Sequence, residues 1–488
     1  MSVRRGVARG VAVLSAGQGG AQALQMVKNV LVARLLGPDE WGVVATFWVT
    51  LTLLDSITTL AADRQVVQAE DGAEKGFLGT AHALQALRGL GTGCVLFGLS
   101  WVAAWAFKTP QALWAYQAIA IVPVIRGLSH LGVFVAQREM RFGPTVWAEL
   151  WSQGVALVVG VVLAWQLGTF AAALWMIMAQ TVAWTALTHV WGGSRYGWGW
   201  DSGSARRIAL FCVPLMLNGA LMFIVFQGDQ TVIGVAYDKA TLGLYAAAFM
   251  LASTPTQLVA KVASSAFLPP LSRAQGDPVV FERRVRGSVE ALALLGGAAG
   301  VGLAALGPWV MRTFFGAEYA AAGAVVGLLG VMFAIRIVRI GPTLAAMARG
   351  DTMNSAVGNM WRCAALVGVI VAAWQRADVW WIALAGVLGE GMALVASCVR
   401  LRARQGVGLR ASMWASSLAV GVMCAALVVE RTIGGLGLAG GIVFGAVAYM
   451  ALIGAMLVWC PGVASEARAL WARVRRVDGG AAENGASA

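Results

Sequence analysis

Apolar stretches of membrane-spanning length follow one another along nearly the whole chain, and arginines and lysines collect in every second gap between them. A spanning helix needs about 20 mostly apolar residues at 1.5 Å each, and in lipid every backbone polar group must be satisfied within its own segment. Such segments start near residues 10, 41, 77, 112, 144, 169, 208, 240, 286, 320, 354, 379, 411 and 433. The pattern predicts an all-α polytopic membrane protein of about fourteen transmembrane helices. A chain that is 59% hydrophobic and only 12% charged is far from a soluble domain.

The basic residues orient it. With the N-terminus placed in the cytoplasm, the inner gaps hold Arg4, Arg5 and Arg9, then Arg64 and Lys75, and Arg138 and Arg141. Further along they hold Arg195, Arg206 and Arg207, the group from Arg273 to Arg286, Arg349, the group from Arg400 to Arg410, and the group from Arg468 to Arg476. The outer gaps keep only single residues, Arg34, Lys108, Lys239, Arg312, Arg376 and Arg431. This bias predicts that both termini lie in the cytoplasm. The net charge of +13 sits in short gaps beside apolar helices, so anionic lipid headgroups are its partner and nucleic acid is not.

Gln18, Gln22, Gln25, Lys28 and Asn29 interrupt the first segment without a cleavage site, so it is expected to stay as helix one. The six cysteines lie in or beside apolar segments and read as packing residues. No nucleotide-binding loop, zinc motif or nucleophile elbow is visible. No cofactor and no metal are expected, and the gaps are too short to house an enzyme's catalytic domain.

Two weak internal matches suggest duplication. The stretch LLGPDEWGVVA from Leu35 aligns with AYDKATLGLYA from Ala236, pairing Gly42 with Gly243, and Ile125-Arg126 aligns with Ile335-Arg336. Both copies start on the same side, as in parallel-repeat transporters. The expected fold is two pseudo-symmetric six-helix lobes, residues 1–200 and 201–405, around a central cavity. Two peripheral helices over 406–462 and a partly disordered cytoplasmic tail over 463–488 complete it.

Ionisable groups inside spanning helices are costly and mark pathways or binding sites. The basic set is Lys28, Arg88, Arg126, Lys261, Arg336, Arg339 and Arg362, and the acidic set Asp55, Glu149, Asp229, Glu290 and Glu390. His130 lies four residues after Arg126 and Arg339 three after Arg336, so each pair is expected to share a helical face. Lys28, Arg88, Arg126, His130, Arg336, Arg339 and Arg362 are the candidate substrate-binding residues, since a basic excess with forked arginine donors suits a diphosphate. Asp55, Asp229 and Glu390 are candidates for ion coupling or for stabilising the lobes. Pro123, Pro214, Pro255 and Pro342 are expected to bend their helices.

ARLLGPDEWG followed by a helix with Asp55, AQREMRF from Ala136, the long stretch from Asp229 to Arg273, and FFGAEYAAAG from Phe314 together resemble the Wzx-type bacterial polysaccharide flippases. These belong to the multidrug/oligosaccharidyl-lipid/polysaccharide exporter superfamily. The resemblance implies an inner-membrane flippase moving an undecaprenyl-diphosphate-linked oligosaccharide by alternating access, with polymerase and assembly proteins as partners. It also places Asp229 at the family's acidic position. Competing readings are a drug or cation antiporter, a lipid-II flippase, and a glycan-polymerising membrane enzyme.

Overall fold

The computed structural model describes residues 2–193, 195–408, 410–433 and 438–459. The tail beyond them, with Cys460 and the basic group from Arg468, lies outside the described residues, and side-chain placement begins at residue 16. Among the described residues there are helices and turns and no strand.

The helices are α1 (Ser2–Ile57), α2 (Ala62–Gln68), α3 (Lys75–Ala106), α4 (Leu113–Ile119), α5 (Ile121–Gly127), α6 (Gly132–Arg138), α7 (Gly143–Leu167), α8 (Ala171–Trp191) and α9 (Ser202–Ala236). They continue with α10 (Lys239–Arg273), α11 (Pro278–Val310), α12 (Gly323–Ala348), α13 (Met353–Ala364), α14 (Leu366–Trp374), α15 (Val379–Gln405), α16 (Arg410–Ile433) and α17 (Leu438–Trp459). Ten spans pass by length and apolarity among the described residues, or twelve if each of two bent pairs is one span. The protein is a multi-pass helical membrane protein.

Fourteen separate spans are not reached by that measure, for two physical reasons. The first and second expected segments run on as α1, 56 residues long, broken only where Gly37 takes φ 76° and ψ 171° ahead of Pro38. That left-handed φ favours glycine. The apolar part of α16 is only Ser417–Val428.

The fourth segment is broken as well. Pro123 has no N–H for the carbonyl of Ile119, and the chain turns at Ala120 between α4 and α5. A second break at Leu128–Leu131 bends the segment by 49° before α6. The other three prolines expected to bend helices, Pro214, Pro255 and Pro342, lie inside α9, α10 and α12.

Two compact units result. The first comprises Met1–Met250, Arg312–Tyr319 and Ile370–Val379, and the second Leu251–Met311, Ala320–Val369 and Trp380–Ala488. In the first unit, α1 packs on α7 and α9, α7 on α8, and α3 on α5. The second is built around the α11–α12 pair, with α16 and α17 packed on α11. Gly296 of α11 lets the backbone of Ala334 approach, and Leu452 of α17 reaches over Gly297. Small residues at such crossings are how helices without a hydrophobic drive between them achieve close packing.

The two aligned loop motifs meet inside the first unit. A methyl group on Gly42 would lie 1.9 Å from the carbonyl oxygen of Lys239, and one on Gly243 would lie 1.9 Å from that of Pro38. The contact is reciprocal, each glycine facing the residue four positions before the other.

Candidate functional site

In the first unit a half-exposed polar site forms where α1, α3 and α5 converge. Glycines set the crossing: a Cβ on Gly89 would fall 2.5 Å from the Pro123 carbonyl oxygen, and one on Gly127 2.8 Å from that of Gln85. The residue before each glycine is an arginine, so the close approach of α3 and α5 brings Arg88 and Arg126 to the same carboxylate, Asp55 of α1.

The two arginines are held differently. Arg88 donates from Nη2 to Asp55 Oδ1 at 2.7 Å and from Nε to Thr58 Oγ1 at 3.3 Å, and its side chain is 26% exposed. Arg126 approaches Asp55 Oδ2 only to 3.8 Å and is 64% exposed. One guanidinium is therefore fixed and the other open, while the Gln85 amide donates to the backbone carbonyl of Arg126.

In the second unit the charges are closed. Glu390 of α15 is fully buried and accepts from Arg336 Nε and Nη2 at 2.9 and 2.5 Å. Arg339 Nε lies 3.3 Å from its other oxygen and Arg362 Nε 3.5 Å from the first. Arg336 and Arg339 share a face of α12, as their spacing requires, and Arg339 also donates to Asn359 Oδ1 at 3.2 Å. Charges this buried persist only when paired and hydrogen-bonded, so the cluster joins α12, α13 and α15.

Lys28 of α1 is also buried. Its ammonium donates to the amide oxygens of Gln153 on α7 and Gln180 on α8, at 2.9 and 2.6 Å, and Gln153 passes the contact on by donating to Glu149. Asp229 of α9 is 2% exposed and accepts from the Tyr245 hydroxyl at 3.3 Å. Lys261, named among the membrane-embedded bases, is exposed.

His130 does not share a face with Arg126, because the helix is interrupted between them. It turns instead into a cluster of all three histidines of the chain, whose rings are 5.1 Å apart for His82 and His130 and 5.4 Å for His130 and His189. Tyr196, from the segment between α8 and α9, stacks on His82 at 4.3 Å. The ring of His82 accepts from the Leu131 N–H at Nε2 and lies 3.1 Å from the Gly197 carbonyl at Nδ1, which makes Nδ1 the donor. Likewise His130 Nδ1 accepts from Gly132 N–H at 2.8 Å, so its other nitrogen carries the proton. In the sequence these histidines are scattered residues on three helices. Nothing in their spacing signals the cluster, which depends on the break after α5 and on the path of the chain past α8.

The family described as polysaccharide biosynthesis protein matches residues 31–324. An uncharacterised protein of Mycobacterium tuberculosis strain H37Rv is 26% identical over 326 residues, 61% of this chain and 70% of its own. The succinoglycan biosynthesis transport protein ExoT of Rhizobium meliloti is 25% identical over 328 residues, 64% of this chain and 63% of its own. Among solved structures, the lipid II flippase MurJ in an inward closed conformation aligns with a TM-score of 0.68 at 13% identity, over 91% of this chain and 99% of its own. An inward-facing multidrug resistance MATE family transporter of the MOP superfamily aligns with a TM-score of 0.67 at 12% identity, over 78% and 95%. At such identities the likeness is one of fold.

Proposed function

Since the chain belongs to the polysaccharide biosynthesis protein family, we propose that it is a flippase for a polyprenyl-diphosphate-linked oligosaccharide in the bacterial inner membrane. The observation that carries this reading is the open guanidinium of Arg126, 64% exposed beside the fixed Arg88–Asp55 pair. A diphosphate offers paired oxygens to a forked donor, and Arg binds such groups bidentately. Asp55 keeps the site from being purely cationic, which favours release over permanent capture.

In this reading Arg126 receives the diphosphate, Arg88 fixes the carboxylate that positions it, and the glycan crosses in water while the polyprenyl tail stays in lipid. The Arg336–Arg339–Arg362–Glu390 cluster and Asp229 serve as the stabilising or ion-coupling elements of the second half. Alternating access of residues 1–200 against 201–405 supplies the movement, with 406–462 as peripheral helices. Both termini face the cytoplasm, following the basic bias of the inner gaps. Polymerase and assembly proteins of the same polysaccharide are its partners.

Deleting the gene and measuring lipid-linked oligosaccharide together with surface polysaccharide tests the function. Accumulated lipid-linked repeat with lost polymer supports it. Normal levels of both, with altered drug sensitivity, assign the chain to drug export, and loss of viability through the cell wall assigns it to lipid II. Complementation with Arg126→Ala then tests the site: normal polymer from a normally folded variant removes Arg126 from the mechanism.

A further inference from the structure

Along α15, two adjacent rows of residues repeat every four positions, one from Val387 to Ala403 and the other from Leu388 to Arg404. At that spacing each row is a stripe on one face, and together they form the floor of a cavity of ≈ 840 Å³. Its walls are Ile335 of α12, Trp361 of α13 and Val420 of α16. Small residues on the floor, such as Gly391 and Ala396, leave the depth, and Leu388 and Val399 stand more than half exposed into it.

The groove has one polar end. Arg400 and Arg404 line it there, at the end of α15. Arg400 is neutralised by Asp351, with paired bonds of 2.9 and 2.8 Å from Nε and Nη2. Arg404 is exposed and makes no hydrogen bond or ion pair among the described residues. An otherwise apolar trough therefore ends in one cation without a direct partner.

We propose that this groove holds an acyl chain of an anionic phospholipid, with the lipid phosphate on Arg404. Its walls belong to spanning helices, so the occupant comes from the bilayer. Sixteen residues of rise make it about 24 Å long, more than the roughly 15 Å half-thickness of a bilayer's hydrocarbon, and one chain lies along it from headgroup to midplane. Two arginines against one carboxylate leave this end of the groove cationic, since Asp351 is bonded to Arg400 and only within electrostatic reach of Arg404, and that charge selects an anionic headgroup over a zwitterionic one. A lipid seated there bridges α13, α15 and α16, and α13 and α15 carry Arg362 and Glu390.

The test is native mass spectrometry of the full-length protein in detergent, titrated with dioleoyl phosphatidylglycerol and, separately, with dioleoyl phosphatidylcholine. Phosphatidylglycerol is expected to be retained in preference to phosphatidylcholine. Arg404→Gln is expected to weaken its retention about fivefold, Arg404→Lys to restore most of it, and Val395→Trp to abolish it by filling the groove with the melting temperature unchanged. Equal retention of both lipids overturns the proposal, as does indifference to all three variants. Displacement of phosphatidylglycerol by undecaprenyl phosphate at lower concentration overturns it too, giving the groove to a polyprenyl tail.

Discussion

Gly42 and Gly243 lie against each other so closely that a methyl group on either would overlap the backbone carbonyl of the facing helix, at 1.9 Å in both directions. The obstacle in each case is a carbonyl oxygen four residues before the partner glycine, so no side-chain rotation relieves it. Substituting either glycine by alanine is expected to push α1 and α10 apart at a cost of about 1–3 kcal/mol. A drop in the detergent melting temperature for both single variants checks this, and an unchanged melting temperature would mean that the helices stand further apart.

The alignment of Gly42 with Gly243 is legible in the amino-acid sequence itself, from the two loop motifs that carry them. What the alignment does not supply is that the two glycines touch. Spanning segments are equally legible from apolar length, since most expected starts fall within a helix, although Thr169 lies two residues before α8 and Ile433 is the last residue of α16. Their number is not, because α1 runs on through the polar Arg34–Glu40 gap with a break only at Gly37, and the apolar part of α16 is short. The intramembrane charges are visible as a set, yet their sorting into an open site at Arg126 and a closed one at Glu390 follows from helix crossings that periodicity does not encode.

Removing the carboxylate of Glu390 leaves three buried guanidiniums without it. Glu390→Ala is expected to destabilise the protein by about 3–5 kcal/mol and to lower its yield in membranes. Replacing Arg336 and Glu390 together by Met and Leu is expected to be milder than the single change. A double-variant loss equal to the sum of the two single losses, Arg336→Met and Glu390→Leu, would show that the pair contributes nothing beyond its parts.

Arg126 and Arg336 occupy matching places in the two aligned motifs, so sequence alone assigns both to transport and neither to the fold, whereas their surroundings make different predictions. Arg126→Ala is expected to leave the stability within about 0.5 kcal/mol of the parent, as for exposed positions. Arg336→Ala is expected to shift it well beyond that. Thermal unfolding of the two single variants, side by side with polysaccharide output, separates them.

His82 ties the segment before α9 to the break between α5 and α6, its Nδ1 meeting the Gly197 carbonyl and its Nε2 the Leu131 N–H. His82→Ala leaves the Leu131 N–H without its acceptor, at a cost of about 1–3 kcal/mol, and frees the Gly197 carbonyl. Trypsin is then expected to cut after the exposed Arg195 several times faster than in the parent. An unchanged cleavage rate would show that the histidines do not pin this segment.

Asp201 caps α9, accepting from the Ser204 N–H at 2.7 Å. Hydrogen bonds from Ser204 hold its carboxyl below the usual carboxylate range. A group depressed in the folded state stabilises above its unfolded value of about 3.9 and loses that contribution as pH falls through the lower folded value. Melting temperature is therefore expected to be insensitive to Asp201 from neutral pH down to about pH 4, and the acid-side fall to be shallower in Asp201→Asn, which keeps a capping oxygen.

Lys28 has a consequence for how the chain is made. Its ammonium sits on α1, and the two amides that receive it, Gln153 and Gln180, belong to helices made more than a hundred residues later. Until those arrive, a charged group in the hydrocarbon has no partner from α7 or α8, a state that costs several kcal/mol. During synthesis α1 therefore waits at the translocon or at the membrane surface, and it settles only when α7 and α8 have been threaded beside it.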